Sequence, residues 1–139
     1  MTNFETTRIL IVDDEAFMRQ TIRQMLKVMG SLMVKEAADG RAALFEIDTF
    51  KPDLVLCDVS MAPMSGIKLI EKLRAHADPE RRQTPVIMLT AHTDEKIVAD
   101  ALKLGISGYV VKPVSPRHLA ERVNAALKSR ASQGEKGAA

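Results

Sequence analysis

Leu54-Val55-Leu56-Cys57, closed at once by Asp58, is the stretch on which the fold turns. Four apolar residues are too few for a helix, and a run with no polar alternation suits a central strand covered on both faces. A strand buried on both sides needs layers of helices around it, and the flanking sequence supplies them. Upstream, Ile9-Leu10-Ile11-Val12 is a second short run rich in β-branched residues. Between the two, Met18, Ile22, Met25, Leu26 and Met29 mark one face of a helix over 15–29, and Gly30 reads as its stop. A strand follows over 32–37, with Val34 flanked by Lys35 and Glu36 as an edge position prefers. Asp39 then caps a helix running through Ile47.

Downstream the alternation continues. Ser65 caps a helix carrying Ile67, Leu69, Ile70 and Leu73. Residues 75–84 (AHADPERRQT) are polar and read as a solvated loop or frayed end. Val86-Ile87-Met88-Leu89 is the fourth strand. Thr93, with Asp94 and Glu95 behind it, starts a fourth helix with Ile97, Val98, Ala101 and Leu104 inward and Gly105 as its stop. Tyr109-Val110-Val111 is the fifth strand. Ser115 and Pro116 open a fifth helix with the stripe Leu119, Val123, Ala126 and Leu127. Five strand–helix pairs with short connections predict a single α/β domain, a doubly wound (βα)5 fold with a five-stranded parallel sheet. Its expected limits are residues 8–128, between an N-terminal extension (1–7) and a flexible tail without an apolar stripe (129–139).

Composition narrows the function. A chain of 139 residues, 46% hydrophobic and 27% charged, is globular rather than disordered. The net charge of +2 is the balance of 20 basic and 18 acidic residues spread along the chain, which argues against a nucleic-acid surface. The single cysteine, Cys57, forms no internal disulfide and reads as a small buried apolar residue. The N-terminal residues lack the apolar stretch of a secretory signal, and no run approaches the roughly 20 residues that span a bilayer. A cytoplasmic location with no membrane insertion is the expectation.

In open α/β sheets ligands bind beyond the carboxyl ends of the strands. The residues there are Asp13 and Asp14 after the first run, Asp58 after the third, Thr90 after the fourth and Lys112 after the fifth. Singly, each has an ordinary explanation: Asp14 or Thr90 as a cap, Asp58 as a loop residue, Lys112 as a solvated charge. Together, at one sheet edge, they carry more information. Two carboxylates about 4 Å apart repel by roughly 4 kcal/mol at an effective dielectric near 20, so three need positive charge among them. Lys112 supplies part of it, and a hard, oxygen-seeking cation such as Mg2+ suits the rest. A carboxylate nucleophile beside a metal, an amine and a hydroxyl fits phosphoryl transfer to an aspartate.

VDDE at 12–15, the aspartate of LVLCD at 54–58, LTA at 89–91 and VKP at 111–113, with Gly66 eight residues after Asp58, together resemble the response-regulator receiver family, whose members are CheY-like. The similarity covers about residues 8–127. It implies the flavodoxin-like strand order 2-1-3-4-5. It further implies that Asp58 accepts a phosphoryl group from a histidine kinase or histidine phosphotransfer protein. Asp13, Asp14, Asp58 and the backbone carbonyl of Ser60 would hold Mg2+, with Mn2+ as the alternative. Lys112 would pair with the phosphoryl oxygens, and Thr90 and Tyr109 would form a switch that remodels the surface of the fourth helix, fifth strand and fifth helix. The Lys112–Pro113 bond would be cis. On this reading the protein is no enzyme in the ordinary sense but a switch catalysing only its own phosphorylation and dephosphorylation. Its partners are that phosphodonor and a downstream protein target, without direct nucleic-acid contact, and it is a monomer or a phosphorylation-dependent dimer.

Two features depart from the family pattern. Met61-Ala62-Pro63-Met64-Ser65-Gly66 has its proline displaced by one position and serine in place of an acid, which leaves the path of this loop open. His92, two residues past Thr90, stands where the family tunes loss of the phosphoryl group; it is either near the attacking water or simply solvated. A flavodoxin-like electron carrier would need a phosphate-cradling loop after the first strand, where this chain has Asp13-Asp14-Glu15. An aspartyl-phosphate phosphatase would carry Asp-x-Asp, whereas Val59 and Ser60 follow Asp58.

Overall fold

The computed structural model describes residues 4–91 and 95–138, with side chains as far as Arg130. Strands and helices alternate as β1 (Arg8–Val12), α1 (Ala16–Val28), β2 (Met33–Ala37), α2 (Gly40–Thr49), β3 (Leu54–Asp58), α3 (Gly66–Arg74), α4 (Pro79–Arg82), β4 (Val86–Thr90), α5 (Glu95–Lys103), β5 (Gly108–Val111) and α6 (Pro116–Ala138). The sheet has five parallel strands in the order β2-β1-β3-β4-β5, so the order implied by the resemblance holds, and β2 is indeed an edge.

The apolar runs are buried on both faces because alternate side chains point to opposite sides of the sheet. Leu10, Val12, Val55, Cys57, Val86 and Met88 pack with Ala43 and Ile47 of α2, Leu69, Ile70 and Leu73 of α3, and Ala101 of α5. On the other face Ile9, Ile11, Leu54, Leu56, Ile87, Leu89 and Val110 pack with Ile22 and Leu26 of α1 and Leu119, Val123 and Ala126 of α6. At about 25 cal/mol per Å2 of apolar surface, these two layers supply the main driving force for folding. Asp39 and Ser65 cap α2 and α3 through the N–H groups of Ala42 (2.8 Å) and Lys68 (3.2 Å). Gly30 ends α1 with φ +99°, which only glycine adopts without strain.

Three expectations change. Residues 75–84 are not all loop: Asp78 accepts from the Glu80 N–H at 2.9 Å and Pro79 takes the first helical position, which together nucleate the one-turn α4. The predicted fourth and fifth helices are therefore α5 and α6. The backbone of α6 continues past residue 128 to Ala138. The boundary expected there marks the end of the stripe that packs on the sheet, whose last member is Leu127, and not the end of the helix. Finally, α1 has Glu15 at its N-cap without a side-chain cap, so Asp14 does not serve as one. Thr93, the expected start of α5, and His92 lie outside the described residues. No helix among the described residues is long and apolar enough to cross a membrane.

Candidate functional site

Strand register brings the site together. Val12 pairs with Cys57 across β1 and β3, so Asp13 and Asp58 leave the sheet level with each other. Thr90 pairs with Val111 across β4 and β5, and the Lys112 N–H donates to the Thr90 carbonyl at 2.8 Å. The result is one cluster: Asp13, Asp14 and Asp58 each place a carboxylate oxygen within 4.8 Å of the others. Lys112 Nζ donates to Asp58 Oδ1 at 3.1 Å and lies 3.5 Å from Asp13 Oδ2.

Asp13 is fully buried and every polar atom of it is engaged. Its N–H donates to Ala37 O at 3.1 Å, and its carbonyl accepts from Arg19 Nη1 at 2.7 Å. Its Oδ1 accepts from the Glu15 N–H at 2.9 Å, and Oδ2 faces Lys112. Asp14 is exposed. Asp58 is buried apart from a sliver of its surface, and its Oδ1 accepts from both Lys112 Nζ and, at 3.3 Å, the Ser60 N–H. Oδ2 has no hydrogen-bond partner among the described residues. Thr90 is buried, but its hydroxyl donates to the Ala91 carbonyl at 3.2 Å rather than to the cluster. Tyr109 is 38% exposed, its ring on the outside of β5.

The loop left open by the sequence follows a defined path. Ala62–Pro63 and Lys112–Pro113 are both cis. Met64 lies directly over Gly40 at the start of α2, and the Gly66 N–H donates to Val59 O at 2.9 Å. A Cβ at Gly66 would collide with the Asp58 carbonyl oxygen, so α3 can begin this close to β3 only with glycine there. Gly66 entered the sequence reading through its spacing alone. Arg19 did not enter it, since nothing in its local pattern indicates that α1 packs where its guanidinium meets the Asp13 carbonyl.

Burial pushes the Asp58 carboxyl above its ordinary value; the hydrogen bond and charge of Lys112 pull the other way, and Asp13 adds to the rise. Burial works against the charge of Lys112, but the hydrogen bond and charge of Asp58, with Asp13, overcome it and raise its pKa. Burial pushes the Cys57 thiol far up, with Asp58 and Asp13 adding, so it stays protonated and unreactive. Three carboxylates against one ammonium leave two formal negative charges in the cluster. All three clustered side chains offer oxygen and one of them opens to solvent, which fits a hard divalent cation that retains part of its water shell.

The response regulator receiver domain model matches residues 9–124. Protein CcdB of Bacillus subtilis is 37% identical over 118 residues, covering 85% of this chain and 95% of that protein. The chemotaxis protein CheY-3 of Vibrio cholerae is 36% identical over 117 residues, covering 84% and 88%. Among solved structures, Vibrio cholerae chemotaxis protein CheY4 superposes with a TM-score of 0.79 at 30% identity, covering 87% of this chain and 98% of that one. With a doubly wound 2-1-3-4-5 sheet and an acidic cluster at its carboxyl edge, this chain belongs to the response regulator receiver domain family, the CheY-like signalling switches of two-component systems.

Proposed function

We propose that Asp58 accepts a phosphoryl group in a reaction that depends on a divalent cation, Mg2+ or Mn2+, and that the phosphorylated state turns the α5–β5–α6 face into a signal for a protein target. The observation that carries this reading is the Lys112 ammonium held 3.1 Å from Asp58 Oδ1 inside a cluster of carboxylates. An ammonium in that position stays with Oδ1 while Oδ2, which has no partner among the described residues, attacks phosphorus in line. The new bond is Oδ2–P; the bond that breaks joins phosphorus to the imidazole nitrogen of a phosphohistidine on a histidine kinase or phosphotransfer protein, and that nitrogen leaves with the electron pair. Asp13, Asp14, Asp58 and the Ser60 carbonyl are the ligands proposed for the cation, which supplies charge neutralisation at the transferring phosphoryl oxygens.

Once Asp58 carries the group, the Thr90 hydroxyl exchanges its bond to Ala91 O for one to a phosphoryl oxygen, and Tyr109 turns inward from the β5 surface. Phosphorylation then favours one of two arrangements that both exist beforehand. The protein acts in the cytoplasm on this reading, as a monomer or as a dimer formed on phosphorylation.

The test is intact-mass measurement after incubation with acetyl phosphate and Mg2+. One phosphoryl group is expected on the wild-type chain and none on Asp58→Asn; equal labelling of the two would refute the assignment. Capture of proteins on the beryllofluoride-treated form but not on the untreated form identifies the target.

A further inference from the structure

Arg19 lies outside the carboxylate cluster, yet it is the side chain that fixes the Asp13 main chain. β1 ends at Val12, so the sheet provides no donor for the next carbonyl. Arg19 Nη1 fills that gap, donating to Asp13 O at 2.7 Å, while its Nε donates to Glu36 Oε1 at 3.0 Å. The other oxygen of Glu36, Oε2, accepts from Arg23 Nε at 2.7 Å. Glu36 sits in β2 opposite Ile11, so its carboxylate is itself anchored to the sheet. The Arg19 side chain is 18% exposed and that of Glu36 26%, which makes this a sheltered clamp rather than a surface ion pair.

From this geometry we infer that Arg19 is a positioning residue for cation binding: its planar fork, braced on Glu36, holds the Asp13 backbone so that the carboxylate stands at the cluster. The inference rests on the reading of Asp13 and Asp14 as cation ligands. Arg23 provides a control within the same network. It shares Glu36 with Arg19, but its Nη2 goes to Val34 O at 3.1 Å, away from the site. A lysine keeps the charge of Arg19 but lacks the fork that spans two acceptors.

Charge and position predict opposite signs. Removing a positive charge beside an acidic cluster tightens cation binding; releasing the Asp13 main chain weakens it. The experiment is Mg2+ titration of 15N-labelled, metal-free protein, with Kd read from amide shifts near the site and hydrogen exchange measured at the Glu15 N–H, which is bonded to Asp13 Oδ1. Arg19→Met and Arg19→Lys are both expected to weaken Mg2+ by about tenfold and to speed Glu15 exchange, in line with the usual effect of losing a group that orients a ligand. Arg23→Met is expected to leave both unchanged. Arg19→Lys carries the test if Arg19→Met does not fold. Equal weakening by Arg23→Met, or unchanged or tighter binding in the Arg19 variants, overturns the inference. Asp13→Asn is measured alongside: if it binds Mg2+ as the wild type does, the cation reading falls and the inference with it. If Asp13→Asn is weak while the Arg19 variants bind normally, the inference falls alone.

Discussion

Lys112 Nζ lies 3.1 Å from Asp58 Oδ1 although β4 separates the strands that these two residues end. The amine crosses the strand end to face two buried carboxylates, since Asp13 Oδ2 is 3.5 Å away as well. Its pKa is raised in the folded state, so its contribution to stability is fully present below the ordinary value of 10.5 and is lost only as pH climbs through the higher folded value. Lys112→Met is expected to lower stability at pH 7 by roughly 1–3 kcal/mol in urea unfolding, the cost of leaving buried acceptors without their donor. Labelling by acetyl phosphate is expected to slow by about a hundredfold, as for loss of one charge-stabilising donor. A variant as stable and as reactive as the wild type would show that the contact serves neither purpose.

Asp58 behaves in the opposite sense. Its folded pKa lies above 3.8, so the folded chain binds the proton more tightly than the unfolded one, and stability falls as pH rises from 3.8 through the folded value. Asp58→Asn removes that loss. In metal-free buffer at pH 7 its Tm is expected to exceed the wild type, at about 3–5 °C per kcal/mol for a chain of this size, and the gap should close toward pH 3.5. Thermal unfolding followed across that range decides the matter.

Mg2+ is expected to raise the melting temperature by relieving repulsion among Asp13, Asp14 and Asp58. At a hundred times Kd the gain is about 2.7 kcal/mol. Asp13→Asn removes one buried carboxylate of the cluster and is expected to blunt the response, and calorimetry with and without Mg2+ measures it. A full response in that variant would place the cation elsewhere.

Gly66→Ala forces a methyl group against the Asp58 carbonyl oxygen. Either β3 or α3 must shift, at a cost of roughly 1–3 kcal/mol for an overpacked contact. Since the atom struck belongs to Asp58 itself, phosphoryl labelling is expected to fall along with stability. Normal labelling in a destabilised Gly66→Ala chain would mean that α3 moves and the acceptor does not.

The architecture was readable because its signals are local. Asp39 and Ser65 announced their helices by residue type, Gly30 announced a stop, and the runs at 9–12, 54–57 and 86–89 are apolar on both faces because helices cover both. Short-range signals also failed locally: Asp78-Pro79 inside a polar stretch starts a turn of helix that polarity alone conceals, and the end of an apolar stripe at Leu127 does not end the helix that bears it.

Local patterns were enough to set the alternation of strands and helices and the identity of the residues that leave each strand, because strand period, helix period and capping depend on neighbours a few positions apart. Only tertiary structure decided what those residues touch. Lys112 meets Asp58 across 54 positions of chain and Asp13 across 99; Arg19 reaches the Asp13 carbonyl only because α1 lies over β1 and β2; the Thr90 hydroxyl turns to Ala91. Such contacts are set by strand register and by the packing of helices on the sheet, and both arise from the sum of many burials rather than from any residue's own preference.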